Sequence, residues 1–406
     1  LDVATEKFNF IWTQKKPLHL NVAFDEPLID QQSLYEPQVI VEKQVFHERN
    51  LVSGNSFYDS GENSSYDNND NSRSRPLIIL GEIPEQKRTA VVEFIIKNRA
   101  PVYAESLSQI KNYPELKSLI IHSSDVLVKQ IFRLKICNTI IRIGGVPTLR
   151  FWRDLEYEFK EIPVMNYTDL PFTGLARRSV VAELKALDLA PVFLKPPDSH
   201  MQKMEQIKRL DEELQAAKEA LLKKFPLSEQ SLTWKLSLVI NKNPLYLGNS
   251  LPIRNWDQFA ECNSISLCAN RGANGIDGQV SSYLGWSESL EKSYCYIGDL
   301  TAFYDLAALG LNTQLNPNQR FVVVMNNFGG QIFKRVFKND KFINGHNTQF
   351  YHWAKMWNWD YLKVLAPDEL EKIDGLTGAF NIIEILPNAE QTQLFWDEWD
   401  NLCQKL

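Results

Sequence analysis

The sequence predicts two doubly wound α/β domains, each a parallel sheet with helices on both faces. Three observations carry this expectation: short apolar runs bounded by turns, helical stretches between them, and a proline-rich segment that splits the series in two. At 406 residues the chain also exceeds the usual size of one domain.

The first series starts at Leu77. Runs at 77–80 (L-I-I-L), 119–121 (L-I-I) and 139–143 (T-I-I-R-I) read as strands, with helices at 86–98 and 125–134 between them. Pro191–His200 holds three prolines and reads as a linker, followed by a charged helix over 201–223 with Met204, Ile207, Leu210 and Leu214 on one face. A second series follows, with strands at 244–247, near 265–268, at 294–297, 321–325 and 381–386, and a helix at 301–311. Upstream, residues 17–28 read as a short strand ending in a turn at Pro27. Residues 53–76 are dense in Ser, Asn, Asp and Gly and read as a flexible loop, too polar to offset the entropy of its own ordering.

Composition narrows the classes. The net charge is −6 with no Lys/Arg-rich run, which argues against a nucleic-acid binder. Cys137, Cys262, Cys268, Cys295 and Cys403 are odd in number and form no C-x-x-C pair, so a reduced, cytoplasmic setting is expected. No stretch approaches the ~18 continuous apolar residues of a membrane span. The opening Leu1-Asp2-Val3 has no initiator Met and no signal-peptide pattern, and reads as a chain cut mid-protein. The histidines His19, His47, His122, His200, His346 and His352 show no metal-ligand spacing, and His352-Trp353 with Trp357 and Trp359 reads as a core helix.

Chemistry is carried first by Gly298-Asp299-Leu300 and Asn326-Asn327. Asp299 directly follows the apolar strand Y-C-Y-I, and the amide pair ends the next strand, F-V-V-V-M. Open α/β sheets bind ligands at this carboxyl edge. An Asp after a strand often only caps the following helix, but a carboxylate, an amide oxygen and a backbone carbonyl together form a hard oxygen site suited to Mg²⁺. Two loops accompany it. Gly248-Asn249-Ser250-Leu251-Pro252-Ile253-Arg254 follows a strand and opens a helix, a setting that suits an anion. Asn270-Arg271-Gly272-Ala273-Asn274-Gly275-Ile276-Asp277-Gly278 offers glycines for close backbone approach to phosphate, and in Arg271 a planar clamp for carboxylates.

These motifs, G-N-S-x-P-I-R, N-R-G-x-x-G-I-D-G and G-D-L followed by N-N-x-G-G-x-I-F, resemble those of the 2-succinyl-5-enolpyruvyl-6-hydroxy-3-cyclohexene-1-carboxylate synthases, thiamine-diphosphate enzymes of menaquinone biosynthesis. Leu300 stands where most thiamine-diphosphate enzymes have Gly, and that departure is the form found in this family. The resemblance spans nearly the whole chain outside 53–76. It implies the thiamine-diphosphate-binding fold, with 1–30 as the end of a pyrimidine-binding domain, 31–195 as the middle domain and 196–406 as the diphosphate-binding domain. Asp299, Asn327 and the Gly329 carbonyl would hold Mg²⁺ (or Mn²⁺). Ser250, Asn274, Gly275, Gly298 and Leu300 would lie at the cofactor, and Ile276 would be the apolar wedge that bends it. Gln331, Ile332 and Phe333 would line the adjoining pocket. Ser250, Arg254, Arg271 and Phe333 would face substrate, and Arg254, Arg271, Ile276 and Phe333 are the catalytic candidates.

The middle-domain stretch Arg142–Arg150 resembles the family's R-x-G-x-x-P-x-S-K, with Arg150 in place of the substrate-binding Lys and Leu149 in place of Ser. Charge is kept and geometry changes. The implied substrates are 2-oxoglutarate, which is decarboxylated, and isochorismate, to which the succinyl-semialdehyde unit is added, in a homodimer or homotetramer. The family's ylid-promoting Glu would lie upstream of residue 1, so this chain alone is expected to bind diphosphate weakly and not to turn over. Another thiamine-diphosphate 2-oxo acid decarboxylase or synthase, and a non-catalytic binding module, are the alternatives.

Overall fold

The computed structural model describes residues 75–405 apart from 123–124, 178, 190–197, 262–265, 273 and 335–339. The expected strand at 17–28 and the 53–76 loop up to residue 74 lie outside the described residues, as does the linker over 191–197.

The first sheet contains β1 (Pro76–Leu80), β2 (Val102–Ala104), β3 (Ile120–Ile121), β4 (Thr139–Ile143), β5 (Val164–Tyr167) and β6 (Val180–Ala182), all parallel, in the order β3-β2-β1-β4-β5-β6. The second contains β7 (Leu245–Leu247), β8 (Leu267–Cys268), β9 (Lys292–Gly298), β10 (Gln319–Met325), β11 (Asp360–Val364) and β12 (Phe380–Ile385), also parallel, in the order β11-β12-β10-β9-β7-β8. The expected pair of doubly wound α/β sheets is therefore what the chain forms.

Both faces of each sheet are covered, which is why the strands read as unbroken apolar runs. Within β1, Ile78 and Leu80 pack with Val91, Val92 and Ile95 of the helix Glu85–Asn98, whereas Leu77 and Ile79 pack with Leu127, Val128 and Ile131 of the opposite layer. In β10, Phe321, Val323 and Met325 meet Leu232 and Leu236 of the helix Glu229–Ile240, while Val322 and Val324 meet Tyr283 and Leu284 of the helix Gln279–Trp286. The long helix Asp198–Lys224 and the last helix Ala389–Gln404 contribute Ile207, Leu214, Leu221, Phe395 and Trp399 to a core shared with Ile140, Phe151 and Trp152 of the first unit. Each such side chain contributes about 1.5–3 kcal/mol on burial.

Several elements depart from expectation. The short strands β2, β5, β6 and β11 and the helix Glu229–Ile240 are additions, whereas the helix expected to open after the 248–254 loop is present as Leu251–Phe259. The helix begun at Asp198 starts inside the expected linker. The helix expected at 301–311 is broken into Asp299–Phe303 and a 3₁₀ stretch, Leu306–Thr313. The helix at His352-Trp353 spans only Tyr351–Met356, so Trp357 and Trp359 lie beyond it, although Trp353 and Trp359 are buried. Among the described residues no helix is long and apolar enough to cross a membrane.

Candidate active site

In the second sheet the chain runs from β7 outward to β8 and returns to β9 on the other side of β7. The loops after β7 and β9 therefore flank a switch point, where open α/β sheets bind ligands. The parallel register pairs Gly298 with Met325, so Asp299 and Asn326-Asn327 emerge side by side at that edge.

Asp299 is 2% exposed and opens the helix Asp299–Phe303. Its Oδ1 accepts the Leu300 amide at 2.7 Å, and its Oδ2 accepts the Gly329 amide at 2.9 Å. His346 Nε2 lies 3.1 Å from Oδ2. His346 Nδ1 accepts the Thr348 amide at 3.2 Å, so in the neutral ring Nε2 carries the proton and donates to Asp299. Burial raises the Asp299 pKa, and the two amides and His346 pull it back. Gly329 has φ +136, and a Cβ there would meet the Ile343 carbonyl oxygen at 2.8 Å. Glycine is thus required for the turn that brings this amide to the carboxylate.

The amide pair divides its work. Asn326 is fully buried and structural: its Nδ2 donates to Glu384 Oε1 at 2.6 Å and to the Thr348 carbonyl at 2.9 Å. Glu384 also accepts the Phe350 amide and the Tyr361 hydroxyl, tying β10, β11 and β12 together. Asn327 is half-buried and donates its Nδ2 to Glu229 Oε2 at 2.9 Å. Burial drives Glu229 up to about 7, with the Asn327 and Asn255 amides opposing and Asp299 adding to the rise.

Asn249 joins the two glycine loops. Its Nδ2 donates to the Gly275 carbonyl at 2.7 Å, its Oδ1 accepts Arg271 Nη1 at 2.8 Å, and its backbone amide donates to Gln279 Oε1 at 2.9 Å. Gly248 lies against β9, where a Cβ would come within 2.8 Å of Ile297. Ser250 adopts φ 75, and its carbonyl accepts Arg254 Nη1 at 2.7 Å. Asn274 and Gly275 are exposed, open to a ligand. Arg271 Nε is buried without a hydrogen-bond partner, an orphaned donor beside the loops. Desolvation, then the Arg271 charge, lowers the Arg254 pKa, while Glu105 and Asp257 support it.

The carboxyl edge of the first sheet faces these loops. Glu105, just after β2, accepts the Thr148 amide, the Thr148 hydroxyl at 2.7 Å and the Leu149 amide at 3.1 Å. Thr148 Oγ1 also lies 3.1 Å from Oδ2 of Asp257, on the helix that carries Arg254. Asp257 Oδ1 accepts the Ser106 amide at 2.7 Å. Burial, then Asp257, pushes Glu105 up to about 7, and the Thr148 bonds and Arg271 lower it. Arg150 lies apart from this cluster in its contacts: its side chain is 66% exposed and pairs with Asp154 at 3.2 Å. Arg153, one turn on, falls within electrostatic reach of Arg254.

Ile276, Gln331 and Ile332 are half-buried and Phe333 is 44% exposed, so these side chains line a surface and are not core. Leu300 is also half-buried, near Gly330.

A magnesium-linked diphosphate fits these donors. Asp299 accepts three hydrogen bonds of about four that a carboxylate takes. Among the described residues the Gly329 carbonyl accepts Gln331 N alone, leaving a lone pair, and Asn327 Oδ1 accepts no hydrogen bond. No group of three His, Cys, Asp or Glu side chains able to hold a metal occurs among the described residues, so a metal here must use amide and carbonyl oxygens. Sequence reasoning missed Glu229, Glu105, Asp257, Asn249, Gln279 and His346. Glu229 is 98 residues from Asn327, and no local pattern marks it.

The sequence is 40% identical, over 96% of this chain and 72% of the relative, to a 2-succinyl-5-enolpyruvyl-6-hydroxy-3-cyclohexene-1-carboxylate synthase of Bdellovibrio bacteriovorus. The chain belongs to this synthase family. Synthases of the same name from Akkermansia muciniphila and Listeria welshimeri are 32% and 27% identical, over 79% and 95% of this chain. The chain spans 61% of the Akkermansia synthase and 70% of the Listeria synthase. No protein-family model matches it.

Proposed function

We propose that this synthase-family chain binds thiamine diphosphate through Mg²⁺ (or Mn²⁺) at the β7/β9 switch point. In the assembled enzyme it decarboxylates 2-oxoglutarate and adds the resulting four-carbon unit to isochorismate, forming 2-succinyl-5-enolpyruvyl-6-hydroxy-3-cyclohexene-1-carboxylate for menaquinone synthesis. The reading extends to a cytoplasmic homodimer or homotetramer, with 31–195 and 196–406 as its middle and diphosphate-binding domains. One observation carries the reading: the Gly329 amide meets Asp299 at the strand ends that also carry Asn327, on the same sheet edge as the loops after β7 and β8, where Arg271 Nε is unpaired.

Bound there, the thiazolium supplies the electron sink for decarboxylation. The protein's part is to bind and orient. Asp299, the Asn327 side-chain oxygen and the Gly329 carbonyl would hold the metal, and Asn249 fixes the spacing of the two phosphate-facing loops. Arg254 and Arg271 present two cations to substrates that each carry more than one carboxylate. Ile276, Ile332 and Phe333 offer apolar surface that excludes water from the reacting carbons.

Calorimetry of the 406-residue chain with thiamine diphosphate and Mg²⁺ tests the reading. Binding is expected, and Asp299→Ala is expected to abolish it. Supplying the assembled enzyme with 2-oxoglutarate or pyruvate separates this assignment from other 2-oxo acid decarboxylases, and preferential use of pyruvate would overturn it.

A further inference from the structure

Building on the metal site proposed above, we infer that Glu229 is a positioning residue for metal binding, whose carboxylate turns the Asn327 amide so that its oxygen faces the ion. The argument rests on donors and acceptors. An Asn side chain is nearly symmetric in shape, and a half-turn exchanges its ligating oxygen for an NH₂ group that cannot ligate. Its neighbours must therefore choose the orientation. Glu229 Oε2 accepts Asn327 Nδ2 at 2.9 Å, and Oε1 accepts Asn255 Nδ2 at 2.8 Å. Both Glu229 oxygens thus face NH₂ donors, so the carboxylate holds the Asn327 NH₂ toward itself and turns Oδ1 the other way.

Charge supports the same conclusion. Glu229 is 3% exposed and Asp299 2%. Among the described residues no Lys or Arg forms an ion pair with either carboxylate, and Asp299 meets His346. Two buried carboxylates with one histidine beside them are costly, and a divalent cation between the strand ends supplies further positive charge. Asn255 sits on the helix Leu251–Phe259, which follows Ser250, so one carboxylate aligns both the metal amide and the helix behind the first glycine loop. Outer partners of this kind typically change metal affinity by about 10- to 100-fold.

The test uses the full chain, with free Mn²⁺ followed by electron paramagnetic resonance in the presence of thiamine diphosphate. Glu229→Leu is expected to weaken Mn²⁺ binding by about 10-fold or more. Glu229→Gln keeps one acceptor for two amide donors, Asn255 and Asn327, and is expected to lower affinity in the native background. Asn327→Asp sets carboxylate against carboxylate, and adding Glu229→Gln then supplies a donor, so in that background the same change is expected to raise affinity about 10-fold. This reversal of sign is something a purely structural role would not produce, and the polar swap remains informative if Glu229→Leu fails to fold. The same effect of Glu229→Gln in both backgrounds sinks the inference. If Asp299→Ala binds Mn²⁺ as the unaltered chain does, or the unaltered chain binds none, the metal site itself is wrong. If Asp299→Ala abolishes binding while the swap shows no reversal, Glu229 alone is misassigned.

Discussion

Glu105, Glu229 and Glu384 are each at most 3% exposed, and each is satisfied by side-chain or backbone donors from residues distant in sequence. Glu105 has a consequence for stability. Its folded pKa of about 7 lies above its ordinary value of 4.5, because burial and Asp257 both disfavour its charge. The folded state therefore holds a proton that the unfolded state releases. The stability this contributes is complete below about pH 4.5 and disappears as pH rises through about 7. Thr148 offers one hydroxyl proton to two carboxylates, so a proton on one of them completes the chain of bonds. Chemical denaturation of the unaltered protein and Glu105→Gln between about pH 5 and pH 8 tests this. The unaltered protein is expected to lose stability relative to the variant by at most about 1.4 kcal/mol per pH unit up to neutrality, then run parallel to it. His122, pushed down to about 4, titrates in both proteins and cancels in the difference.

Among elements, the turn after β10 is the most exacting. Phe328 has φ 62 and Gly329 φ 136, and this double bend aims the Gly329 amide at Asp299. Gly329→Ala is expected to lower stability by roughly 1–3 kcal/mol and to weaken Mg²⁺-dependent diphosphate binding together with it. Binding equal to that of the parent, measured by calorimetry, would show that the bend is dispensable. The helix expected at 301–311 breaks at Asp305. Asp305 turns its carboxylate to the Ser281 amide at 2.7 Å and the Ser281 hydroxyl at 2.9 Å, serving the first turn of the neighbouring helix Gln279–Trp286. No periodicity within 301–311 reveals a partner that lies 24 residues away. The strand β11, Asp-Tyr-Leu-Lys-Val, escaped notice for a related reason: it lies at the sheet edge beside β12, mostly half-buried, and lacks a long apolar run.

At the scale of the molecule, the helices Asp198–Lys224 and Ala389–Gln404 bind the two α/β units through one apolar cluster. Phe395 is fully buried there, edge-on to Phe259 at 5.4 Å and to Phe225 at 6.4 Å. Phe395→Ala is expected to cost about 3–5 kcal/mol. Calorimetric unfolding is expected to stay a single transition at lower temperature, because the cavity opens in a core common to both sheets. Two separated transitions would show that the units unfold independently. Sequence by itself determined the parallel sheets, because burial on both faces demands apolar runs that helices interrupt. It likewise determined the candidate ligand loops, because glycine and polar groups directly after such strands have few structural uses. Only the tertiary structure decided that Asn326 is tied to Glu384, that Asn327 meets Glu229, and that Arg150 turns to Asp154. Those outcomes rest on hydrogen bonds between residues that chain folding alone brings together, and their strength depends on burial that no local pattern encodes.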